Sequence, residues 1–511
     1  MDDVPRLSLL GLLLPSLVAL LLASCNDTRN LAPATPDTPW QPVAETGTAA
    51  PSANFAAPVS TGLSPPVETA AEVDPAHAYG LAELIDIAER RDQTTRLAWE
   101  QARQAAIRVG MARAAYLPAL TATALAGYEH IASPFPPDLV QQGYITANGE
   151  EFLPELAVRY LLFDFGTRAS TVQGARALSF AANAQFTAAH QALIFGVARA
   201  YFTLDGANAE RAAARETLAS AELLQKSAEA MAAQGLGTSV DVALARRNTA
   251  QARYDLAAAT AAQHDSTYAL LTEMDLPPTT HLRIAGSAAT IFSGASNTVD
   301  AMMRQALARR PDLLADLGRL RASEAAIAEA RSEFYPKIAI SANVQGNIGR
   351  ISVDDAPYED VEQPQAGIFL NFDWPLYQGG LLRNRLFLAQ SQNAAAADAL
   401  AQDREQALRQ VALADDQVET GLSQYQAAVA LQSAAETAAA AASGAYSQGV
   451  GTFTDAQNAQ SALTSARSAL ARAHSQLLIN AAALAFATGM LTSGSAFTSG
   501  SVAGGPAAAG R

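Results

Sequence analysis

Three landmarks of this chain occur twice, in the same order and at nearly the same spacing. Tyr116-Leu117-Pro118 lies over Phe334-Tyr335-Pro336 at an offset of 218, each closing an Ala- and Arg-rich run. Leu162-Phe163-Asp164-Phe165-Gly166 lies over Leu376-Tyr377-Gln378-Gly379-Gly380 at 214, and QGLGTSVD at 234–241 lies over QGVGTFTD at 448–455, again at 214. Self-similarity at a fixed offset marks one structural unit used twice. The chain is therefore read as two copies of one unit, at 76–295 and 296–490, and any fold has to pack one copy against the other.

Within each copy the pattern is the same. A helical run of about 40 residues ends in the aromatic-Pro step, and two short alternating segments flank a loop. A helical run of about 70 residues, a Gln-Gly-x-Gly-Thr turn and a last helix of about 40 follow. Alanine supplies between a fifth and a quarter of all residues, so the 50% hydrophobic content builds long thin helices better than a thick core. At about 1.5 Å per residue the long helix spans on the order of 100 Å, and the two shorter ones laid end to end match it. That describes a rod of antiparallel helices. Gly174, Gly196 and Gly206 each lower helix propensity by about 1 kcal/mol, which weakens the continuity of the first long helix at those positions.

The short segments, expected as strands at about 118–131, 154–165, 336–349 and 366–376, alternate with period two. Ile338, Ile340, Ala342, Val344 and Ile348 share one face, with Lys337, Ser341, Asn343, Gln345 and Asn347 on the other. Ile368, Leu370, Phe372, Trp374 and Leu376 likewise oppose Asn371 and Asp373. The first copy repeats this more weakly, with Leu156, Val158, Tyr160 and Leu162 against Glu155, Arg159 and Asp164, and Leu120, Ala122, Ala124 and Tyr128 against Thr121, Thr123 and Glu129. Strands of about 9–11 residues with one apolar and one polar face suit a membrane barrel with a watery lumen. A soluble half-buried sheet uses the same alternation. Four strands cannot close, since the smallest membrane barrels need about eight, so a membrane reading requires strands from several subunits.

Residues 1–24 read as a signal peptide: the apolar run LSLLGLLLPSLVALLL at 7–22 is followed by Ala23 and Ser24. Leu22-Ala23-Ser24-Cys25 resembles a bacterial lipobox, which implies lipidation of Cys25; the plainer alternative is a secretory signal with an incidental cysteine. Asp2 and Asp3 depart from the usual basic start of such a leader, and Asn26 after the cysteine favours the outer membrane. Residues 25–75 are interrupted by Pro33, Pro36, Pro39, Pro42, Pro51, Pro58, Pro65, Pro66 and Pro75 and read as a tether; 491–511 read as a low-complexity tail.

A net charge of −15 opposes binding to nucleic acid, and the one cysteine excludes an intrachain disulfide and a thiolate zinc cluster. Neither a phosphate loop nor an HExxH motif occurs, and the six histidines have no ligand-like spacing. No enzyme, metal or cofactor is expected.

The duplicated aromatic-Pro step, the Leu-Phe-Asp-x-Gly strand end, Arg310-Pro311-Asp312-Leu313 at the opening of the second copy and the paired Gly-x-Gly-Thr-x-x-Asp turns resemble the TolC family of outer-membrane efflux proteins, over about residues 78–490. With its lipobox the chain looks like the OprM-like lipoprotein branch. The resemblance implies a mainly α fold with β. Duplicated antiparallel helical hairpins form a periplasmic α-barrel, and four strands per chain join a homotrimeric twelve-stranded transmembrane β-barrel. It also implies a passive channel that docks a periplasmic adaptor fed by an inner-membrane RND-type pump. Type I protein secretion is the alternative within the family, and a lipid-anchored helical scaffold without a pore the alternative outside it.

Carried over to this chain, the turns with Gly235, Gly237 and Thr238, and with Gly449, Gly451 and Thr452, form the periplasmic tips. Asp241 matches an acidic gate-link residue, Tyr446 its aromatic partner, and Asp455 an acidic ring. Gly451 stands where the family has a link arginine and Asn458 where it has a second aspartate. A capping reading stands beside this one: in Thr238-x-x-Asp241 and Thr452-x-x-Asp455 the threonine bonds a free helical N–H and the carboxylate sits at the positive helix end.

Overall fold

The computed structural model describes residues 73–138, 140–286 and 298–491, all within one compact unit. The leader, Cys25, nearly all of the tether and the tail beyond Leu491 lie outside the described residues. The first copy contains β1 (Ala78–Tyr79), α1 (Leu81–Arg91), α2 (Gln93–Ala114), β2 (Ala119–Pro134), β3 (Tyr144–Phe163), α3 (Thr167–Ala233), α4 (Ser239–Glu273) and β4 (Arg283–Ile284). The second contains α5 (Val299–Arg309), α6 (Pro311–Ser332), β5 (Lys337–Val353), β6 (Glu359–Asp373), α7 (Leu381–Ser447) and α8 (Phe453–Ala487). Corresponding helices have equal lengths: 11, 22, 67 and 35 residues in each copy. None of the described helices is long and apolar enough to cross a membrane.

Each helical run expected before an aromatic-Pro step is two helices rather than one. In the first copy Asp92 breaks it with extended backbone and caps α2, its carboxylate accepting from the Thr95 N–H at 2.5 Å. In the second, Pro311 at the first position of α6 holds Arg310 extended, as proline does to its predecessor. The expected weakness at Gly174, Gly196 and Gly206 is not seen, because α3 runs unbroken through them. Tertiary packing overrides propensity there. A Cβ on Gly206 would stand 2.8 Å from the Ser475 Cβ of α8, so the glycine lets two helices approach closely.

The strands are 15–20 residues long, where the expected segments span 11–14. β3 starts ten residues before 154 and β6 seven before 366, while β6 ends at Asp373, three short of 376. Backbone pairing continues past the apolar band into polar sequence, where alternation carries no signal. Pro154 is internal to β3: pairing with β5 lapses beside it and resumes on either side, and Gly346 leaves room for its ring.

The four strands form one antiparallel sheet in the order β2-β3-β5-β6. Next to the sheet the helices lie side by side as α2-α3-α6-α7, and further away as α4-α3-α8-α7, so α3 and α7 run the whole length. Among the described residues, the most extensive core of large side chains lies between these zones. Leu84 and Ile85 of α1, Val197 of α3 and Leu270, Leu271 and Met274 around the end of α4 are fully buried there, beside the β1/β4 pair. Elsewhere the helices meet mainly through alanine, as at Ala435, Ala439 and Ala466, where Leu463 is the one larger member of the cluster.

Arg310 joins four helices at the edge of this core. Its guanidinium donates to both Asp312 oxygens at 3.1 and 2.7 Å, to Gln410 Oε1 at 2.7 Å and to the Ala487 carbonyl at 3.4 Å. Burial pushes the Asp312 carboxyl up, but the Arg310 guanidinium and two backbone N–H groups override it and hold it below the ordinary 3.8. A depressed carboxylate stabilises the fold above its unfolded pKa, and that contribution is lost as pH falls through its folded value. Arg310→Gln is therefore expected to lower the unfolding midpoint most at neutral pH, with the gap from the parent protein narrowing below pH 3.8, as read by denaturant unfolding across a pH series.

Candidate functional site

Strand register assembles the four alternating patterns into two continuous faces. Ile338, Ile340 and Ala342 of β5 stand opposite Phe372, Leu370 and Ile368 of β6. Leu156, Val158 and Tyr160 of β3 stand opposite Val344, Ala342 and Ile340, and Leu120 opposite Val158. The other face carries a row of Thr123, Glu155, Gln345 and Gln365, and Asn371 donates to Ser341 Oγ at 2.8 Å. Phe369 is an exception the alternation missed: it lies on the polar face, opposite Ser341.

The apolar face has sharp ends. On β6 it ends one row earlier, at Pro364, because Glu362 stands opposite Ile348; beyond Phe152 and Ile348 the next row is Tyr128, Glu150, Arg350 and Asp360, with an Arg350–Glu150 ion pair at 2.7 Å and the guanidinium over the Tyr358 ring at 5.9 Å. At the helix end, Phe163, Phe165 and Tyr335 form an aromatic chain with centroids 4.6 and 5.1 Å apart, and Trp374 donates to the Phe334 carbonyl at 3.1 Å. From Ile338 to Ile348 a strand advances about 33 Å, which at a tilt of about 40° is an apolar band about 25 Å high, the height a bilayer barrel presents. Both sheet edges, β2 and β6, are unpaired among the described residues.

A nearly buried ion pair joins sheet to helix in the first copy. Arg168 of α3 donates to Asp164 at 3.0 Å and to the Leu161 carbonyl at 2.7 Å, and its guanidinium lies 4.8 Å from the Tyr116 ring. Gln378 and Leu382 occupy the corresponding positions in the second copy, where Arg385 pairs with Glu333 at 3.0 Å instead.

At the opposite end the two tips share one geometry. Gly235 and Gly449 both take φ of +77°, the left-handed turn that ends a long helix, and Leu236 and Val450 return their N–H groups to the Met231 and Ala445 carbonyls. At Gly237 and Gly451 a Cβ would crowd the preceding helix end at 3.1 and 3.0 Å. Thr238 Oγ1 accepts from the Asp241 N–H and the Asp241 carboxylate accepts from the Thr238 N–H, both at 3.1 Å, a reciprocal capping box. Thr452 accepts from the Asp455 N–H at 3.2 Å and donates to its carboxylate at 2.6 Å. The capping box expected at each turn is therefore complete at the first tip, while at the second the threonine caps the helix and the Asp455 carboxylate takes the Thr452 hydroxyl instead of its backbone N–H.

Tyr446 is buried against Phe453, Ala228, Ala245 and Ala456. Burial pushes its phenol above the usual 10, and the Asp241 charge pushes it further. The structure brings Asp241 into the field of Tyr446 without a hydrogen bond between them, because the Tyr446 Oη has no partner and Asp241 serves Thr238. Sequence reasoning overlooked Leu236 and Val450, among the most exposed apolar side chains at 74% and 79%; the signal was an apolar residue at the apex between two glycines.

The sequence profile described as outer membrane efflux protein matches residues 83–273 and 302–490, one block in each copy. The chain belongs to the outer membrane efflux protein family. Among curated relatives it is similar to outer membrane protein OprJ of Pseudomonas aeruginosa, 28% identical over 262 residues, about half of each protein (51% and 52%). Among solved structures it is similar to the outer membrane protein VceC of Vibrio cholerae, 21% identical with a TM-score of 0.67, over 80% of this chain and 96% of that one. It is also similar to the open state of the MtrE outer membrane channel of Neisseria gonorrhoeae, 23% identical with a TM-score of 0.65, over 80% and 88%. The efflux-family fold thus accounts for the helical barrel and the strands together.

Replacing either capping threonine by alanine, Thr238→Ala or Thr452→Ala, is expected to cost about 1 kcal/mol of local stability. Hydrogen exchange should show faster amide exchange confined to the first turn of α4 or α8, with the sheet amides unchanged.

Proposed function

We propose that this protein is the outer-membrane exit duct of a tripartite efflux system, passively conducting small molecules received from an inner-membrane RND-type transporter through a periplasmic adaptor. The observation that carries the reading is the sheet: one continuous apolar face about 25 Å high, a polar reverse face and two unpaired edges. In lipid those edges need partner strands, because unpaired backbone groups there cost several kcal/mol each. Three copies supply twelve strands and close a barrel around the polar face. The helices continue it as a periplasmic tunnel, and the duct performs no chemistry of its own.

Cys25 carries the lipid anchor in this reading. The tips at Gly235–Asp241 and Gly449–Asp455 face the adaptor, with Asp241, Tyr446 and Asp455 at the gate. The exposed Leu236 and Val450 support a contact role there, and the buried Tyr446 phenol within the field of Asp241 supports a link that forms in another conformation.

Native mass spectrometry of protein extracted from outer membranes should give a trimer whose chains begin at an acylated Cys25, and planar bilayers should show stepwise conductance. A monomer held by its lipid alone would overturn the duct and return the helical scaffold.

A further inference from the structure

We propose that Arg159 and Phe369 form a subsite on the polar face of the sheet for solutes that carry a carboxylate beside an aromatic ring. The inference names a solute class for the duct, and it rests on that reading for the enclosure of this face in a barrel lumen.

Strand register fixes how the two side chains are placed. Arg159 of β3 stands opposite Ser341 of β5, and Ser341 opposite Phe369 of β6, so one row of the polar face reads Ala119, Arg159, Ser341, Phe369. The next row outward is Thr121, Ala157, Asn343 and Gly367. The wall between guanidinium and ring is therefore built of short side chains, and two strand spacings set the Cα atoms of Arg159 and Phe369 about 10 Å apart. Ser341 Oγ, midway between them, accepts from Asn371 Nδ2 at 2.8 Å, which holds the floor of the row in place.

Each of the two residues is singular on its face. Among the described strands, Phe369 is the one aromatic residue on the polar side. A Cβ on Gly367 would stand 2.6 and 2.7 Å from Phe369 Cε2 and Cζ, so the ring is seated over the glycine, while the residue stays 57% exposed. Arg159 is exposed too, and among the described residues its guanidinium has no ion-pair partner. Lys337, the other basic residue on this face, stands opposite Asp373. The remaining charges of the face are the carboxylates of Glu155, Glu151, Glu129 and Glu359, all further from the helices. A solute arriving from the helix side thus meets one uncompensated cation before it reaches them.

A guanidinium offers a planar fork to a carboxylate, and it does so best where no protein carboxylate already occupies it. With its carboxylate on Arg159, an aromatic solute extends along the row over Ser341 and stacks offset against the Phe369 ring. An aliphatic acid lacks the stacking, a neutral aromatic lacks the ion pair, and an aromatic cation is repelled by Arg159. The subsite therefore selects for both groups in one molecule.

The test uses the full trimer in detergent with 2-naphthoate as the probe, and binding is read by saturation-transfer NMR. Its dissociation constant is expected to lie about fivefold or more below those of hexanoate, which lacks the ring, and 2-naphthylmethanol, which lacks the charge. Arg159→Gln and Phe369→Ser should each erase that preference, and Arg159→Lys, which keeps the charge but not the fork, should retain part of it. Partition into the micelle is the same for every variant and cancels in the comparison. Equal constants for the three probes, or a preference unchanged in Arg159→Gln and Phe369→Ser, would overturn the subsite. Conductance is recorded separately in planar bilayers: the expected preference in a trimer that never conducts upholds the subsite and overturns the duct, and a conducting trimer without the preference does the reverse.

Discussion

The unpaired edges of β2 and β6 constrain everything else. A strand edge in water can be hydrated, whereas one beside an apolar band of bilayer height cannot, so this sheet has to be continued by other strands. That requirement sets the orientation of the helices, because α3 and α7 leave the strands through turns of fixed geometry. Gly166 and Gly380 both take left-handed backbone at these exits, with φ of +99° and +86°. The tunnel wall is in this sense an extension of the sheet, and the Asp164–Arg168 pair at one exit holds strand and helix as a single piece.

Duplication gives the wall its regularity, and the departures from it show which parts are constrained by folding alone. Helix lengths agree between copies, as do the glycines of the tips. The polar devices do not agree. Asp92 breaks the first pair of short helices while Pro311 breaks the second; the first tip has a reciprocal capping box where the second has a one-way cap; the first strand exit uses Asp164 with Arg168 and the second Arg385 with Glu333. Different side chains solve the same backbone problem, so the problem belongs to the fold and the solution to each copy.

Much of this was legible from spacing. The repeat offset located the second tip once the first was seen, and period-two alternation identified which strand residues share a face. Strand ends were illegible because pairing outlasts the apolar band, and the break at Asp92 was illegible because no proline marks it. The glycines of α3 misled for a related reason: propensity is local, while the need for Gly206 lies in Ser475, far along the chain. Among the tip residues, the capping roles of Thr238 and Thr452 followed from sequence. The missing partner of Tyr446 did not, since a hydrogen bond that fails to form leaves no trace in a motif. The ion pair at 2.8 Å between Glu216 of α3 and Arg467 of α8 is invisible to pattern reading altogether, being two ordinary charges brought together by tertiary packing.

An alanine-rich wall also shows how one composition gives seams of different cohesion in the body and at the tips. Alanine seams permit close approach but bury little apolar area per residue, so they cohere weakly unless large side chains or polar links are added. In the middle of the rod Leu84, Ile85, Leu270, Leu271 and Met274 supply the large side chains. At the tips Tyr446 and Phe453 do, with Leu224 and Leu244 partly buried against them, and the Tyr446 phenol is buried without a partner. Leaving a hydroxyl unsatisfied costs about 1–3 kcal/mol, comparable to the roughly 1.5–3 kcal/mol that burying an aromatic side chain contributes. For Tyr446 the two terms nearly cancel, so the cohesion of the tip seam comes from Phe453, the leucines packed against it and the alanine contacts, and Tyr446 contributes fit without much cohesion.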